Sequence, residues 1–406
     1  MTELLINRIR QCPSLPSLPA IAIQVLELAQ KEQVDIAEIS RIISKDPALS
    51  SKILRTVNSS FYGRSQSIST ISHALVILGL QSVKTLVLGF SLVNMLRSAK
   101  GFKHLNYWRR SIYAATAARC LANKLSVVQQ EECFLAALLM DIGMLVLDQV
   151  VGESYGEIVD AAKSHADLAA LERKVLGGTH GEVAGILADQ WKLPPVLSAP
   201  MSYHHRPHEL EDPNTRPLAE VTYLAGRCAD VFVDENAAPA IAEIRRFCRE
   251  HYQMDEPACD ALLDDIGTRT KEIAPLFEIN LSGAMSFEAI LKKANETLVE
   301  LTLRTQQQAV TLQEQNQKLK EQASTDGLTG LANRATFDQF FAERFMAAKE
   351  SAARISLIML DVDRFKSVND RYGHPTGDQV LKGVAAVIRS AARATDLAAR
   401  YGGEEL

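Results

Sequence analysis

Up to about residue 280, apolar positions recur at three- and four-residue spacing, interrupted by polar breaks. The segments Ile21–Lys31, Ile36–Ile43 and Ala48–Val57 carry this helical period. Asp46-Pro47 marks a helix start, because Asp can cap the free N–H groups and Pro is pre-set for the first helical position. Ser72 to Leu80 forms another apolar helix, with Gly79 near its end. Strand-type alternation is absent, so this part reads as an all-α bundle.

The pattern changes at Phe287–Gln322. Leu291, Leu298, Leu312 and Leu319 keep one heptad phase, Thr305 fills the missing step, and Gln, Glu and Lys hold most other positions. The run predicts a long helix that pairs with its own copy as a short coiled coil; a single solvated helix between domains is the alternative. Gln308 and Asn316 near the seam would keep the pairing weak and adjustable. After residue 323 the period changes again. Ile355–Leu360 is an apolar run of strand length, Gly377–Ala391 has a helical pattern, and a second strand is expected approaching Tyr401. The organisation expected is therefore multidomain: an all-α domain at 1–212, a helical extension at 213–286, a coiled-coil helix at 287–322 and a partial α/β domain at 323–406.

Composition fits ordinary globular domains: 47% of residues are hydrophobic and 23% charged. A net charge of −5 argues against a dedicated nucleic-acid binder. Cys12, Cys120, Cys133, Cys228, Cys248 and Cys259 form no CxxC pair, so neither a disulfide framework nor a zinc site is expected from them, and a cytoplasmic setting suits them. The apolar stretches at 74–96 and 134–151 contain Gln81, Lys84 and Asn94, and Asp141 and Asp148. They read as buried helices, not membrane spans.

The chemistry concentrates near residue 406. Leu360-Asp-Val-Asp-Arg-Phe-Lys-Ser-Val-Asn-Asp-Arg-Tyr-Gly-His374, Gly377-Asp378 and Tyr401-Gly-Gly-Glu-Glu-Leu406 occur in order. Together they resemble the first half of a GGDEF domain, the module that condenses two GTP molecules into cyclic di-GMP. Attack of a ribose 3′-hydroxyl on an α-phosphate calls for a divalent metal and for donors that orient the triphosphate. The resemblance implies Mg²⁺ or Mn²⁺ on Asp361, the Val362 carbonyl and Glu404, with Glu405 assisting metal binding or proton removal. It implies backbone approach of nucleotide at Gly402 and Gly403, guanine reading by Asn369 and Asp378, and phosphate contacts from the Phe365 N–H and the Lys366 ammonium. Asp326 and Asn333 belong to the family's opening motif and are expected to be structural.

Arg393-Ala-Thr-Asp396 lies five residues before Gly402, where the family binds its own product at an inhibitory site. A planar guanidinium suits that role, since it can grip guanine and phosphate together. Each such domain holds one GTP, so the implied enzyme works as a homodimer, aligned through the helix at 287–322.

The helical part carries Leu15-Pro-Ser-Leu-Pro19, Asp46-Pro-Ala-Leu49, Asn58-Ser-Ser60, Trp108, Leu138-Leu-Met-Asp-Ile-Gly143, Gly178-Thr-His180, Trp191-Lys-Leu-Pro194 and His204-His205. This order resembles an HDOD domain, a relative of HD metal-dependent phosphohydrolases. In those hydrolases a His-Asp doublet helps hold metal. Here Met140 stands in the doublet's His position, Asp141 survives alone, and Arg110 falls where an earlier ligand His would lie. A thioether and a guanidinium cannot replace two imidazoles, so the degenerate site is not expected to bind metal or hydrolyse. His180, His204 and His205 are expected to have packing or surface roles. The domain reads as a sensory or partner-binding scaffold of unknown ligand.

Two functions compete: a diguanylate cyclase governed by the HDOD domain, and a non-catalytic scaffold that senses GTP or cyclic di-GMP. The intact Asp361, Glu404, Asn369 and Asp378 favour the cyclase. Because nothing follows the signature loop here, this chain itself is expected to be inactive.

Overall fold

The computed structural model describes residues 1–12, 15, 17–29, 35–59, 62, 67–96, 104–351 and 353–406. Pro16, Lys31 and Ser60 of the motifs above lie outside the described residues. The chain divides into two compact units, Met1–Leu298 and Val299–Leu406.

The first unit is helical throughout its described residues. Its helices are α1 Glu3–Arg10, α2 Ala20–Ala29, α3 Ile36–Ser44, α4 Pro47–Val57, α5 Ile71–Leu96, α6 His104–Lys124, α7 Gln130–Leu139 and α8 Ile142–Val151. There follow α9 Glu153–Ala161, α10 His165–Leu176, α11 His180–Gln190, α12 Pro195–Tyr203, α13 Arg216–Val233, α14 Ala238–Tyr252 and α15 Glu256–Ile273. The expected start at Asp46 is present: its carboxylate accepts from the Leu49 N–H at 2.9 Å, and Pro47 opens the helix. Gly79 breaks α5 at φ 81° and ψ 163°, a conformation in which a Cβ would be strained, so two helical segments meet there.

Helix α6 organises the unit because both its faces are apolar. Tyr107, Trp108, Ile112 and Ala115 join a core with α1–α5, α7–α12 and Phe277, in which Phe90 and Phe277 lie 4.4 Å apart. Tyr113, Ala114, Ala117, Ala118 and Leu121 face a second core with α13–α15. Alanines on α6 meet Ala225 and Ala229 of α13, and small residues allow close helix approach. Burying a side chain such as Phe90 contributes about 1.5–3 kcal/mol. Residues 213–286 therefore belong to the same compact unit as the helices before them, sharing its second core.

Two apolar stretches, Ile71–Val93 and Gln130–Val151, are long enough to cross a membrane, but 56% and 78% of their best windows are buried inside the protein. They are core helices by that measure. No disulfide joins any of the six cysteines.

Helix α16, Phe287–Ser324, runs as a single 38-residue helix, as the heptad pattern predicts. Phe287, Ile290 and Ala294 are buried in the second core. Beyond them Leu298, Val299, Leu301, Leu303, Val310, Leu312 and Leu319 are exposed.

The second unit contains α17 Arg334–Ser351, α18 Phe365–Tyr372 and α19 His374–Ala391; of these α19 lines its small core of Leu331, Ala385 and Leu406, with Val362, Val384, Ile388 and Ala398 packed on it. The predicted strand at Ile355–Leu360 does not form as a ladder. Leu360 exchanges two 2.8 Å backbone hydrogen bonds with Leu406, and Asp361 bridges antiparallel to Glu405. Residues 353–359 are extended but have no backbone partner opposite them, so Leu357, Ile358 and Met359 stay exposed. Ala399, in the region of the expected second strand, makes one parallel bridge to Ala332.

Candidate functional site

In the second unit the signature residues assemble around one bridge. Asp361 ends the extended segment and lies opposite Glu405. The intervening turn is closed by the Glu405 N–H on the Gly402 carbonyl at 2.7 Å, with Gly403 at φ 48°. No atom lies within 4 Å of where a Cβ on Gly402 or Gly403 would stand, so the turn's backbone faces open space. Arg400 clamps the turn, its guanidinium donating to the Gly403 carbonyl at 2.8 and 3.0 Å and to Asp326 at 3.2 and 3.3 Å. Asp326 also accepts from the Thr329 amide and hydroxyl, and Asn333 donates to the Ala323 carbonyl. Both are structural, as their motif predicts.

Among the described residues, the Asp361, Glu404 and Glu405 carboxylates make no hydrogen bond or ion pair. These are oxygen donors of the kind a hard cation prefers, but among the described residues their side chains do not converge on one point. The Val362 carbonyl already accepts the Phe365 N–H at 3.1 Å. It keeps a second lone pair, but the Phe365 amide, predicted to hold phosphate, is engaged. Lys366, on the first turn of α18, is exposed.

Asn369 and Asp378, expected to read guanine, lie on α18 and α19 respectively. The Asn369 Oδ1 is buried without a hydrogen-bond partner. It stands 1.9 Å from where a Cβ on Gly377 would be, so only glycine permits that approach. Asp378, just past the first turn of α19, is exposed. At the Arg393 turn, the Asp396 carboxylate accepts from the Arg393 backbone N–H at 3.0 Å. Among the described residues no carboxylate pairs with the Arg393 guanidinium, which is exposed.

The first unit holds a second cluster. Asp141 sits between α7 and α8, fully buried. The charge of Arg110 on α6 is consumed locally: Nη1 pairs with Asp141 and Nε donates to Asp230 at 2.9 Å. Met140 is buried against α13, near Gly226. Gly143 is required for α8 to touch α11, since a Cβ there would meet the His180 carbonyl oxygen at 1.9 Å.

A surface role for His180, His204 and His205 does not hold. His180 and His204 are buried, His205 half-buried, and with His165 of α10 their ligand nitrogens lie within 4.8 Å of one another. Sequence reading missed His165, which belongs to no doublet or motif; four of the chain's nine histidines falling within 165–205 was the available signal. The second Asp141 oxygen, Oδ1, faces Nε2 of His165, His204 and His180 at 3.2, 3.4 and 3.5 Å.

The electrostatics follow from this packing. Burial raises the Asp141 carboxyl, but Arg110 and then His165 outweigh it and hold it well below the usual carboxylate range. Burial pushes His165, His204 and His205 down, toward the neutral form. For His180 burial is overcome by Glu172, which with Asp141 lifts it to about 9.

The comparisons agree with this division. The profile of the HDOD domain matches residues 15–207, and that of the diguanylate cyclase GGDEF domain matches 323–406. A crystal structure of a provisionally named phosphohydrolase from Shewanella amazonensis SB2B superposes with a TM-score of 0.55 at 24% identity, over 68% of this chain and 98% of that one. This shows the helical fold. Diguanylate cyclase DgcS of Shewanella oneidensis is 45% identical over 91 residues, 22% of this chain and 31% of that protein. Diguanylate cyclase TpbB of Pseudomonas aeruginosa is 44% identical over 94 residues, 23% and 22%. The chain thus spans a third or less of these curated relatives. The chain carries an HDOD domain at residues 15–207 and a GGDEF domain of the diguanylate cyclase family at 323–406.

Proposed function

We propose that the protein is a cyclic di-GMP signalling enzyme, a diguanylate cyclase whose GGDEF domain condenses two GTP molecules under the control of the HDOD domain. The observation that carries this reading is the bridge between Asp361 and Glu405, with three unpaired carboxylates beside an open Gly402-Gly403 turn. Mg²⁺ or Mn²⁺, held by Asp361, the Val362 carbonyl and Glu404, would neutralise phosphate charge and lower the pKa of the attacking 3′-hydroxyl.

The chain's own groups do the rest. The glycine turn admits the triphosphate against backbone, and the Lys366 ammonium orients it. The free Asn369 Oδ1 takes one N–H of the guanine edge, and Asp378 can accept from N1–H and N2–H, which adenine cannot offer. Glu405 is placed to assist metal binding or to receive the 3′-hydroxyl proton.

Each domain binds one GTP, so two copies must face each other. The exposed apolar residues of α16 support pairing of that helix with its copy, and the HDOD domain would act by altering this pairing. GTP as substrate places the work in the cytoplasm.

Incubating the protein with GTP and Mg²⁺ and assaying cyclic di-GMP tests the reading, with Glu404→Ala as control. A dimer of the complete protein that binds GTP yet forms no product would remove it. The second reading, a non-catalytic sensor, draws support from the unpaired Arg393 guanidinium; cyclic di-GMP binding without turnover would favour it.

A further inference from the structure

The nitrogen atoms of the histidine cluster are arranged in a way that hydrogen bonding alone leaves unresolved. The His180 Nδ1 lies 2.7 Å from the buried Glu172 Oε2, which accepts its proton. In the neutral ring, the form that binds metal, the His180 Nε2 is then the lone-pair site and points into the cluster. The same holds for His204: its Nδ1 is 2.8 Å from the Met201 carbonyl, which can only accept. Yet the two Nε2 atoms stand 3.3 Å apart, and the His205 Nε2 stands 2.8 Å from that of His180. The Asp141 Oδ1, another acceptor, looks into the same space, and neither it nor the His165 Nε2 makes a hydrogen bond of good geometry.

His165 and His205 can each turn an Nε2–H inward, but the His180 Nε2, the His204 Nε2 and the Asp141 Oδ1 still face one another as acceptors, an arrangement that a cation at the centre relieves. One added proton could join one pair of these atoms and would leave the others facing acceptors. A cation with several coordination positions satisfies them together. We infer that His165, His180, His204 and His205, with Asp141, form a mononuclear site for a divalent transition metal of the Zn²⁺ or Fe²⁺ type.

The ligand chemistry favours that class, since imidazole suits such ions and hard cations prefer oxygen. A tetrahedron with Zn–N bonds of 2.0–2.1 Å has edges of about 3.3 Å, close to the His180–His204 separation. The widest pair, at up to 4.8 Å, would close by up to about 1.5 Å. Outer contacts are already in place: Glu172 orients His180 and is itself held by the Tyr155 hydroxyl at 2.6 Å. His205 is the half-buried edge of the cluster, while the His165 side chain is 7% exposed.

Arg110 and Met140 determine what such a site can do. Arg110 takes the other oxygen of Asp141, and Met140 offers only a thioether, so a second metal has no ligands. The ion would be a single, protein-saturated staple joining the α7–α8 junction to the starts of α10 and α11 and the end of α12. It has a structural or sensing role, not a hydrolytic one.

The test is titration of the chelator-stripped full chain with Co²⁺, followed by visible absorption, alongside zinc and iron content of the protein as purified. One equivalent of Co²⁺ should bind with the spectrum of nitrogen-rich coordination, and Zn²⁺ should displace it. His205→Asn, at the half-buried edge, should weaken binding at least tenfold while the helical circular dichroism is kept, and His251→Asn on α14 should change nothing. A folded protein that binds no stoichiometric Co²⁺ overturns the inference and leaves a proton in the cluster. A Co²⁺ spectrum identical in the wild type and His205→Asn overturns it equally.

Discussion

The Arg110 Nε donates to the Asp230 Oδ1 at 2.9 Å, deep between α6 and α13. Arg110 belongs to the region matched by the HDOD profile; Asp230 lies beyond it. Because the same guanidinium also holds Asp141, the helices after residue 207 help to complete the electrostatics of the histidine cluster. Arg227 adds a second cation, 2.6 Å from the other Asp230 oxygen.

Removing Arg110 would leave Asp141 and Asp230 short of compensating charge in a buried setting. Arg110→Leu is expected to destabilise the first unit by about 3–5 kcal/mol, the cost typical of breaking a buried ion pair from one side. Urea denaturation followed by tryptophan fluorescence would measure it, since both tryptophans, Trp108 and Trp191, lie in this unit. A loss below about 1 kcal/mol would mean that water reaches the carboxylates.

Gly377 is the residue on which Asn369 depends. A methyl there would collide with the Asn369 Oδ1 and also crowd the Phe365 ring at 3.1 Å. Gly377→Ala should raise the apparent Kd for GTP at least tenfold in equilibrium dialysis. Gly383→Ala, six residues along α19 where a Cβ meets nothing within 4 Å, should leave GTP binding intact. It should also stabilise the helix by about 0.5–1 kcal/mol. Equal loss in both variants would show that general helix damage, not Asn369, was responsible.

Asp326 predicts an acid limit for the GGDEF domain. Burial raises its carboxyl, but the Thr329 hydroxyl and amide, followed by Arg400, outweigh that and hold it below the usual value. A depressed carboxylate contributes stability above its unfolded pKa, about 3.9, and loses it as pH falls through the folded value. Hydrogen exchange at residues 325–332 should therefore quicken below about pH 4, and Asp326→Asn should quicken it at neutral pH and flatten the dependence. Persistence of the same acid step in Asp326→Asn would assign it to another group.

The helices and the nucleotide-site residues were legible in the sequence because both depend on local spacing. Asp46-Pro47, Gly79 and the α16 heptads each act within a turn or two of chain. The histidine cluster was not legible. Its members come from the starts of α10 and α11 and the end of α12, and only tertiary packing joins them. The strand at 355–360 failed for a related reason: its residue types suit a strand, but a strand exists only opposite a partner, and backbone pairing begins at Leu360.

Arg393 permits the cleanest separation of regulation from catalysis. Its guanidinium is exposed and unpaired among the described residues, and Asp396 caps the turn through the Arg393 backbone N–H. Arg393→Ala therefore removes a ligand-binding group without touching the turn. In the cyclase assay it should leave the initial rate within about twofold while product accumulates to several times the wild-type plateau, because inhibition by cyclic di-GMP is relieved. Asp396→Ala should differ, losing the cap and loosening residues 393–396 in hydrogen exchange as well as relieving inhibition. An unchanged inhibition constant in Arg393→Ala would make the Arg393–Asp396 turn a structural feature only.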